Sequence, residues 1–268
     1  MSENSKELKQ INELQNIIND LNNKLNESES LKSNFISNIM NEVYNPFSSI
    51  ISMAENIQSL KEGNLHRAVP MAEIIHREAA QLDFHLQNIF AAASIEAGLE
   101  GLEISMVNIN SIFNSTIAKF QVDINNKNLV IKSNINSSNE IHFATDSKKI
   151  SLILLNILSN SIKYSPNGGV ITYSFEVIEN SLNISIHDNG EGMTEQDIDT
   201  IFNRFSRIDT TINSVTGGTG LGLSVVKALM EILNANINIT ADNGTKVLLA
   251  FPQNEIDDEL FMDDEELF

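Results

Sequence analysis

A chain of 268 residues with 17 Lys and Arg against 36 Asp and Glu carries a net charge of −19, which argues against nucleic-acid binding because no excess positive charge exists to neutralise phosphates. Hydrophobic residues at 41% suffice for a folded core of one or two domains and exclude global disorder, while the lack of Cys removes disulfides, thiolate catalysis and Cys-ligated metals. The His residues show no HExxH-like spacing, so no protein-built metal site is expected, and no apolar run is long enough for a membrane span, so a soluble, cytoplasmic protein is expected.

From Glu7 to Phe35 apolar residues recur at heptad spacing, with Ile11, Ile18 and Leu25 in one register and Leu14, Leu21 and Phe35 in the other. A short parallel coiled coil is expected over 1–33. The periodicity runs on through Ile36, Met40, Val43, Phe47, Ile50, Ala54 and Ile57, as one long helix with that stripe buried. Gly63 and Asn64 break it, and Ala72, Ile75, Ala79, Leu82, Leu86, Ile89 and Ala93 repeat the pattern up to Gly98. Two amphipathic helices joined by a turn form a hairpin over 34–100. A hairpin with an apolar stripe on each arm cannot bury both alone, so two copies are expected to pair as a four-helix bundle, making a homodimer.

Residues 101–252 read as a second domain of mixed α+β type, a sheet covered by helices. Asn108 or Asn110 caps a helix to about Asn125, Leu129 to Ile135 alternates as a strand, and Asp146 caps a helix to Tyr164. Val170 to Val177 and Leu182 to His187 read as a β-hairpin around Glu179-Asn180. Helices follow over 194–205 and 221–233, and two strands flank Asp242-Asn243-Gly244. The tail 253–268 holds eight acids and no base, and is expected to be disordered. Its two acidic runs each end in Leu-Phe, which suits a docking peptide with Phe261 or Phe268 as anchor.

Half of the 12 Gly lie between 190 and 222, and three blocks there and just upstream carry chemistry. Asn156, Asn160 and Lys163 fall at i, i+4 and i+7 on one helix face, where an amide oxygen suits Mg²⁺ and an ammonium suits phosphate. Asp188-Asn189-Gly190-Glu191-Gly192 follows a strand, and a carboxylate there can accept from an adenine amino group while the glycines admit the base. Gly217-Gly218-Thr219-Gly220-Leu221-Gly222-Leu223 opens a helix whose N-terminal amides can cradle phosphate.

Taken in order, with Ile201-Phe202-Asn203-Arg204-Phe205 between the last two, these blocks resemble the ATP-binding (GHKL-type) α/β sandwich of gyrase, heat-shock chaperones, sensor histidine kinases and mismatch-repair ATPases. The sensor histidine kinases fit best. Residues 35–47, Phe-Ile-Ser-Asn-Ile-Met-Asn-Glu-Val-Tyr-Asn-Pro-Phe, look like their phosphoacceptor box, and Ser94-Ile95-Glu96-Ala97-Gly98 looks like the end of their second helix. The resemblance covers roughly 34 to 252. It implies ATP and Mg²⁺ as cofactors, with Asn160 on Mg²⁺, Asn156 beside the phosphates, Lys163 and Arg207 on phosphate, and Tyr164 near the base. Asp188 would read adenine beside Gly190 and Gly192. Gly218, Thr219, Gly220, Leu221 and Gly222 would form the phosphate cradle, and residues 210 to 216 the lid.

The chain departs from the family at Asn41, which stands where the phosphorylated His belongs. Asn41 and Asn45 fall on the solvent face, and an amide nitrogen, its lone pair delocalised, does not attack a γ-phosphate usefully. Glu42, a base toward that His in the family, has nothing there to deprotonate. Pro46 is kept and, lacking an N–H, leaves the Glu42 carbonyl without its helical partner. His76 and His85 read as partly exposed surface residues, not relocated acceptors. The resemblance therefore implies a histidine kinase-like dimer that binds ATP, lacks autophosphorylation and acts on a response regulator or another kinase. The alternatives are a phosphotransferase that modifies another chain, and an adaptor dimer in which ATP only stabilises the fold.

Overall fold

In a computed structural model of the chain, residues 3–135, 140–194, 197–198, 201–202, 220–241 and 243–253 are described. α1 (Glu3–Gln58) is one continuous helix, Pro46 included. A 3-10 turn at Glu62–Arg67 leads into α2 (Ala68–Glu96), which packs back along α1. The covered side of α1 carries Val43, Pro46, Ile50, Ala54 and Ile57, whereas Met40 and Phe47, expected in the buried stripe, are 62% and 52% exposed. They join Tyr44 and Ile51 in a second exposed strip at 4-3-4 spacing. A single neighbouring helix covers only part of so wide an apolar face. Leu14, Ile17, Ile18 and Leu21 are likewise exposed in the single chain.

Beyond Gly98, whose φ of 65° closes α2, the chain enters the mixed domain. β1 (Ile104–Asn108) pairs antiparallel with β3 (His142–Asp146), a short two-stranded sheet that the sequence pattern did not announce. The helix expected to run to Asn125 is split at Phe120 into α3 (Ile109–Lys119) and α4 (Gln121–Asn126). Of the two candidate caps Asn108 is the one used, and Asn110, inside α3, makes a tertiary bond instead. Asn108 Oδ1 accepts from Ser111 N at 3.0 Å, and Asn110 Oδ1 accepts from Ile141 N at 2.9 Å, fastening α3 to β3.

The main sheet has five strands in the order β2 (Val130–Ser133), β4 (Val170–Ile178), β5 (Ser181–Asp188), β7 (Thr245–Pro252), β6 (Asn236–Ala241). Only β2 with β4 is parallel. Glu179 and Asn180, at φ 48° and 61°, make the two-residue turn between β4 and β5, the conformation a primed hairpin turn requires. Alternate residues of β4, β5 and β7 point into one core with α3, α5 (Ser147–Tyr164) and α6 (Gly222–Ile232). Phe113 of α3 stacks at 4.9 Å on both Tyr173 and Phe175. The chain is thus a helical hairpin followed by a two-layer α/β sandwich. Ile89, Ala91, Ala92 and Ile95 of α2 pack against the sandwich core, so the hairpin abuts α5 and α6.

Candidate nucleotide site

α5 carries the amide-bearing face, and both of its ends are anchored. At its start Asp146, 1% exposed, accepts from the Lys148 and Lys149 amides at 3.0 and 3.1 Å through Oδ1. Its Oδ2 accepts from Glu103 N at 3.0 Å and from Lys149 Nζ at 3.1 Å. Burial pushes the Asp146 carboxyl up, but the hydrogen bonds from Glu103 and Lys149 together with the Lys149 charge hold it below the usual carboxylate range. Lys149 also pairs with Glu100 at 3.0 Å, binding the segment after α2 to α5. At the other end Lys127 Nζ donates to the carbonyls of Ile162, Lys163 and Ser165 at 2.9, 2.7 and 3.1 Å. A cation there satisfies C-terminal carbonyls and complements the helix dipole.

A cleft opens between α5, the end of β5 and the start of α6, lined by Ile157, Asn160, Tyr164, Asp188, Met193 and Leu223, with Thr245 and Val247 of β7 behind. Asp188 is 4% exposed, and its Oδ1 accepts from Gly190 N at 3.0 Å and Thr245 N at 3.2 Å. Among the described residues no donor is recorded on Oδ2. Gly190 must be small, since a Cβ there would stand 2.7 Å from the Tyr164 carbonyl oxygen and 3.0 Å from Asp188 Oδ1. Gly192, at φ 75°, passes close to Gly244. Tyr164 is 48% exposed, and Lys163 Nζ sits 5.0 Å from its ring centroid.

These residues fit an adenine nucleotide with Mg²⁺. A buried carboxylate fixed by two backbone amides and lined by apolar side chains suits the amino edge and faces of a purine. Asn160, Lys163 and the start of α6 then face phosphate and a hard cation. Among the described residues no group of three or more His, Cys, Asp or Glu is placed to hold a metal. A cation would therefore rely on Asn160 together with phosphate oxygens.

Of the expected site residues, Asn160, Tyr164 and Asp188 line this cleft, Gly190 lies against Tyr164 and Asp188, Lys163 sits over the Tyr164 ring, Gly192 lies against Gly244, and Leu221 and Gly222 immediately precede the lining residue Leu223, with Gly220 at φ 70° just before them. Asn156, expected beside the phosphates, lies against Gly222 at the start of α6 and also reaches α2. It is 3% exposed, and its Nδ2 donates to Asn88 Oδ1 of α2 at 2.7 Å and to the Leu152 carbonyl at 2.9 Å. Arg207, Gly218, Thr219, the lid 210–216 and the tail with Phe261 and Phe268 lie outside the described residues. In the helix expected over 194–205, Thr194 and Asp197 cap one another, and Ile201 N donates to the Asp197 carbonyl at 2.9 Å.

In the hairpin, Asn41 and Asn45 are exposed. His85 is buried at 9% exposure, contrary to the surface reading, because it is tucked against α1. Its Nδ1 lies 3.3 Å from the Glu42 carbonyl oxygen and 3.4 Å from Glu42 Oε2. A carbonyl only accepts, so Nδ1 carries the hydrogen. His76 is exposed.

Residues 145–255 match the family described as histidine kinase-, DNA gyrase B-, and HSP90-like ATPase. The chain is 29% identical over 245 residues to the hybrid signal transduction histidine kinase D of Dictyostelium discoideum, a match that covers 88% of the chain. It is also 29% identical over 237 residues, 87% of the chain, to the sensor histidine kinase GacS of Pseudomonas protegens. Residues 145–255 thus carry an ATPase domain of that family, and over most of its length the chain is similar to proteins named histidine kinases. It spans only 16% and 26% of the lengths of those two relatives. In fold it is similar to the Acinetobacter baumannii histidine kinase AdeS, with a TM-score of 0.51 at 17% identity over 80% of this chain and 98% of that one. A full-length structure of ShkA in complex with AMPPNP is similar at TM-score 0.59 and 18% identity, over 85% of this chain and 46% of that one. The fold is similar to that of these histidine kinase structures, a helical hairpin followed by an ATPase-type α/β sandwich. No helix among the described residues is long and apolar enough to cross a membrane.

The roles of five residues in and around the site escaped the sequence reading. Lys127 caps α5 from a distant turn, and no local pattern marks it. Asn88 and His85 lie on the inner side of α2, where polar residues interrupt the apolar stripe. That interruption was the available signal. Met193 and Leu223 line the cleft from positions that looked like flanks of the glycine blocks.

Proposed function

We propose that this chain is a histidine kinase-like signalling dimer that binds ATP with Mg²⁺ but does not phosphorylate itself, and that regulates a response regulator or another kinase in a phosphorelay. The observation that carries it is the exposed Asn41 on α1 at the acceptor position of a protein whose cleft keeps Asp188, Gly190, Asn160 and Lys163. Bound ATP would supply a transferable γ-phosphoryl group. Asp188 would select the purine, Asn160 would hold the cation, and Lys163 with the α6 N-terminus would hold the phosphates. Asn41 offers that phosphoryl group no basic lone pair. Fast hydrolysis is also not expected, because an amide at position 156 cannot take a proton from water.

Homodimerisation is supported by the uncovered strip Met40, Tyr44, Phe47 and Ile51 together with exposed Leu14, Ile17, Ile18 and Leu21 on the same long helix. A second copy would cover both. Incubation with γ-labelled ATP tests the kinase reading. The unmodified protein stays unlabelled, and Asn41→His, which restores a nucleophile at that exposed site, becomes labelled in an acid-labile form. Acid-labile label on the unmodified protein overturns the proposal.

A further inference from the structure

Among the described residues, helices cover one face of the five-stranded sheet, and the other face carries the alternate strand residues that stay out of the core. Strand register sets this outer face out in rows. One row crosses the whole sheet as Lys132, Thr172, His187, Lys246 and Thr240, from β2 to β6. Its charges are sorted. Lys132, His187 and Lys246 share that row, whereas Glu176, the one acid on this face of the described strands, lies four residues along β4, toward the end where β7 finishes. Between them the side chains are short. Ser174, Ser185 and Ala250 surround Leu248, a large apolar residue 37% exposed, so a further segment can lie close above the strands there.

Residues 253–268 leave the sheet at this face. They follow β7 directly, and Gln253 N still donates to the Asn180 carbonyl at 2.9 Å. Because β7 has β5 on one side and β6 on the other, the tail departs from within the sheet and not from its edge. Its sequence holds eight acids and no base, and it lies outside the described residues beyond Gln253. Reach and charge agree. From Pro252 back to Lys246 is six residues of strand, about 20 Å. A tail that reverses over 253–256 and returns above β7 with the same rise brings Leu260 over Leu248 and carries Asp263 and Asp264 to the row of cations.

We propose that residues 253–268 dock on the outer face of their own sheet, with Leu260-Phe261 over Leu248 and Asp263 and Asp264 on the row of Lys132, His187 and Lys246. Docking needs neither nucleotide nor a second copy. Exposed charges lead the contact, so salt screens it and the tail is released as ionic strength rises.

The test uses the full chain, which has no Cys, so introduced labels are unique. Nitroxides are paired at Met262→Cys and Asn238→Cys, the latter beside Leu248 on the outer face, or at Met262→Cys and Asn114→Cys on the helical side. Pulsed electron resonance reads the distances after dilution with unlabelled chain, so that only pairs within one copy report. An undocked tail spreads over about 17 Å after ten residues and gives a broad distribution to both labels. Docking is expected to give a narrow distribution to Asn238→Cys, shorter than that to Asn114→Cys, which is lost in about 0.5 M salt. Asp263→Asn with Asp264→Asn, a change confined to the tail, should abolish it as well. Lys132→Glu with Lys246→Glu should also abolish it, and adding Asp263→Lys and Asp264→Lys to that variant should restore it. Melting curves verify that the strand variants are folded. The proposal is overturned by a broad distribution in wild type at low salt, by a narrow one to the helical side, or by a narrow one that survives neutralisation of the tail. A narrow component that disappears on dilution also overturns it, because the tail then sits on a second copy.

Discussion

Asp188 offers the sharpest separation of a binding role from a structural one. Its Oδ1 holds the Gly190 and Thr245 amides, and Oδ2 is assigned to the purine amino group. Asp188→Asn can keep both backbone bonds through its amide oxygen, but its NH₂ then faces the donor of the base. A hydrogen bond to a charged group contributes about 1.5–3 kcal/mol, and facing donors add about another 1 kcal/mol of unmet desolvation. A loss of about 2.5–4 kcal/mol in binding corresponds to roughly 60- to 700-fold in Kd. Folding stability should change by less than about 1 kcal/mol, because the two buried amides keep an acceptor. Asp188→Ala instead strands both amides and should lower stability by about 2–4 kcal/mol as well as abolishing binding. Calorimetric titration with ADP and Mg²⁺, alongside thermal melts, reads the two effects separately. Unchanged affinity in Asp188→Asn would refute the assignment of this carboxylate to adenine.

The pH dependence of stability should carry the mark of Asp146. Its folded pKa is depressed, so its contribution is complete above the unfolded value near about pH 4 and is lost as pH falls through the folded value. The melting-temperature gap between wild type and Asp146→Asn should therefore close between about pH 5 and pH 2, and a gap that is constant over this range contradicts the argument. Lys127→Met removes three carbonyl bonds at the end of α5 and should cost about 1.5–3 kcal/mol, seen as a lowered melting temperature. An unchanged melting curve means that the cap contributes nothing. Light scattering at micromolar concentration should give the mass of a dimer for wild type, and a lower mass for Phe47→Asp, which places a charge on the exposed strip. A monomeric wild type removes the pairing of hairpins.

The sequence made the fold legible wherever hydrophobic period and capping coincided. α5 is the clearest case, because Asp146 both starts it and is buried by it, and the β4–β5 turn follows from two residues able to take positive φ. β1 and β3 stayed hidden because each is five residues long and pairs only with the other, so neither shows an alternation long enough to read. In the site, helical spacing put Asn160 and Lys163 on one face of α5, and it was the resemblance to a known ATP-binding domain that brought Asp188 and Gly190 to them. Spacing could not place Asn156. Its helix face was correct, but which neighbour claims a buried amide depends on how α2 docks, a contact 68 residues away in sequence. His85 illustrates the same limit, because its partner Glu42 is 43 residues away.

Pro46 and Glu42, flanking Asn41 and Asn45, have a physical reading that needs no catalysis. Pro46 frees the Glu42 carbonyl, and an unpaired buried carbonyl costs free energy unless a donor is supplied. His85 Nδ1 supplies one from across the hairpin. The same carboxylate that would serve an acceptor His at position 41 lies within 3.4 Å of that ring nitrogen. The proline-loosened turn of α1 is therefore bonded to α2 one helical turn from the residue that meets Asn156. This cross-helix bond is made by the Glu42 main chain and the His85 ring, so it needs no side chain at position 41 and stands with Asn41 in place.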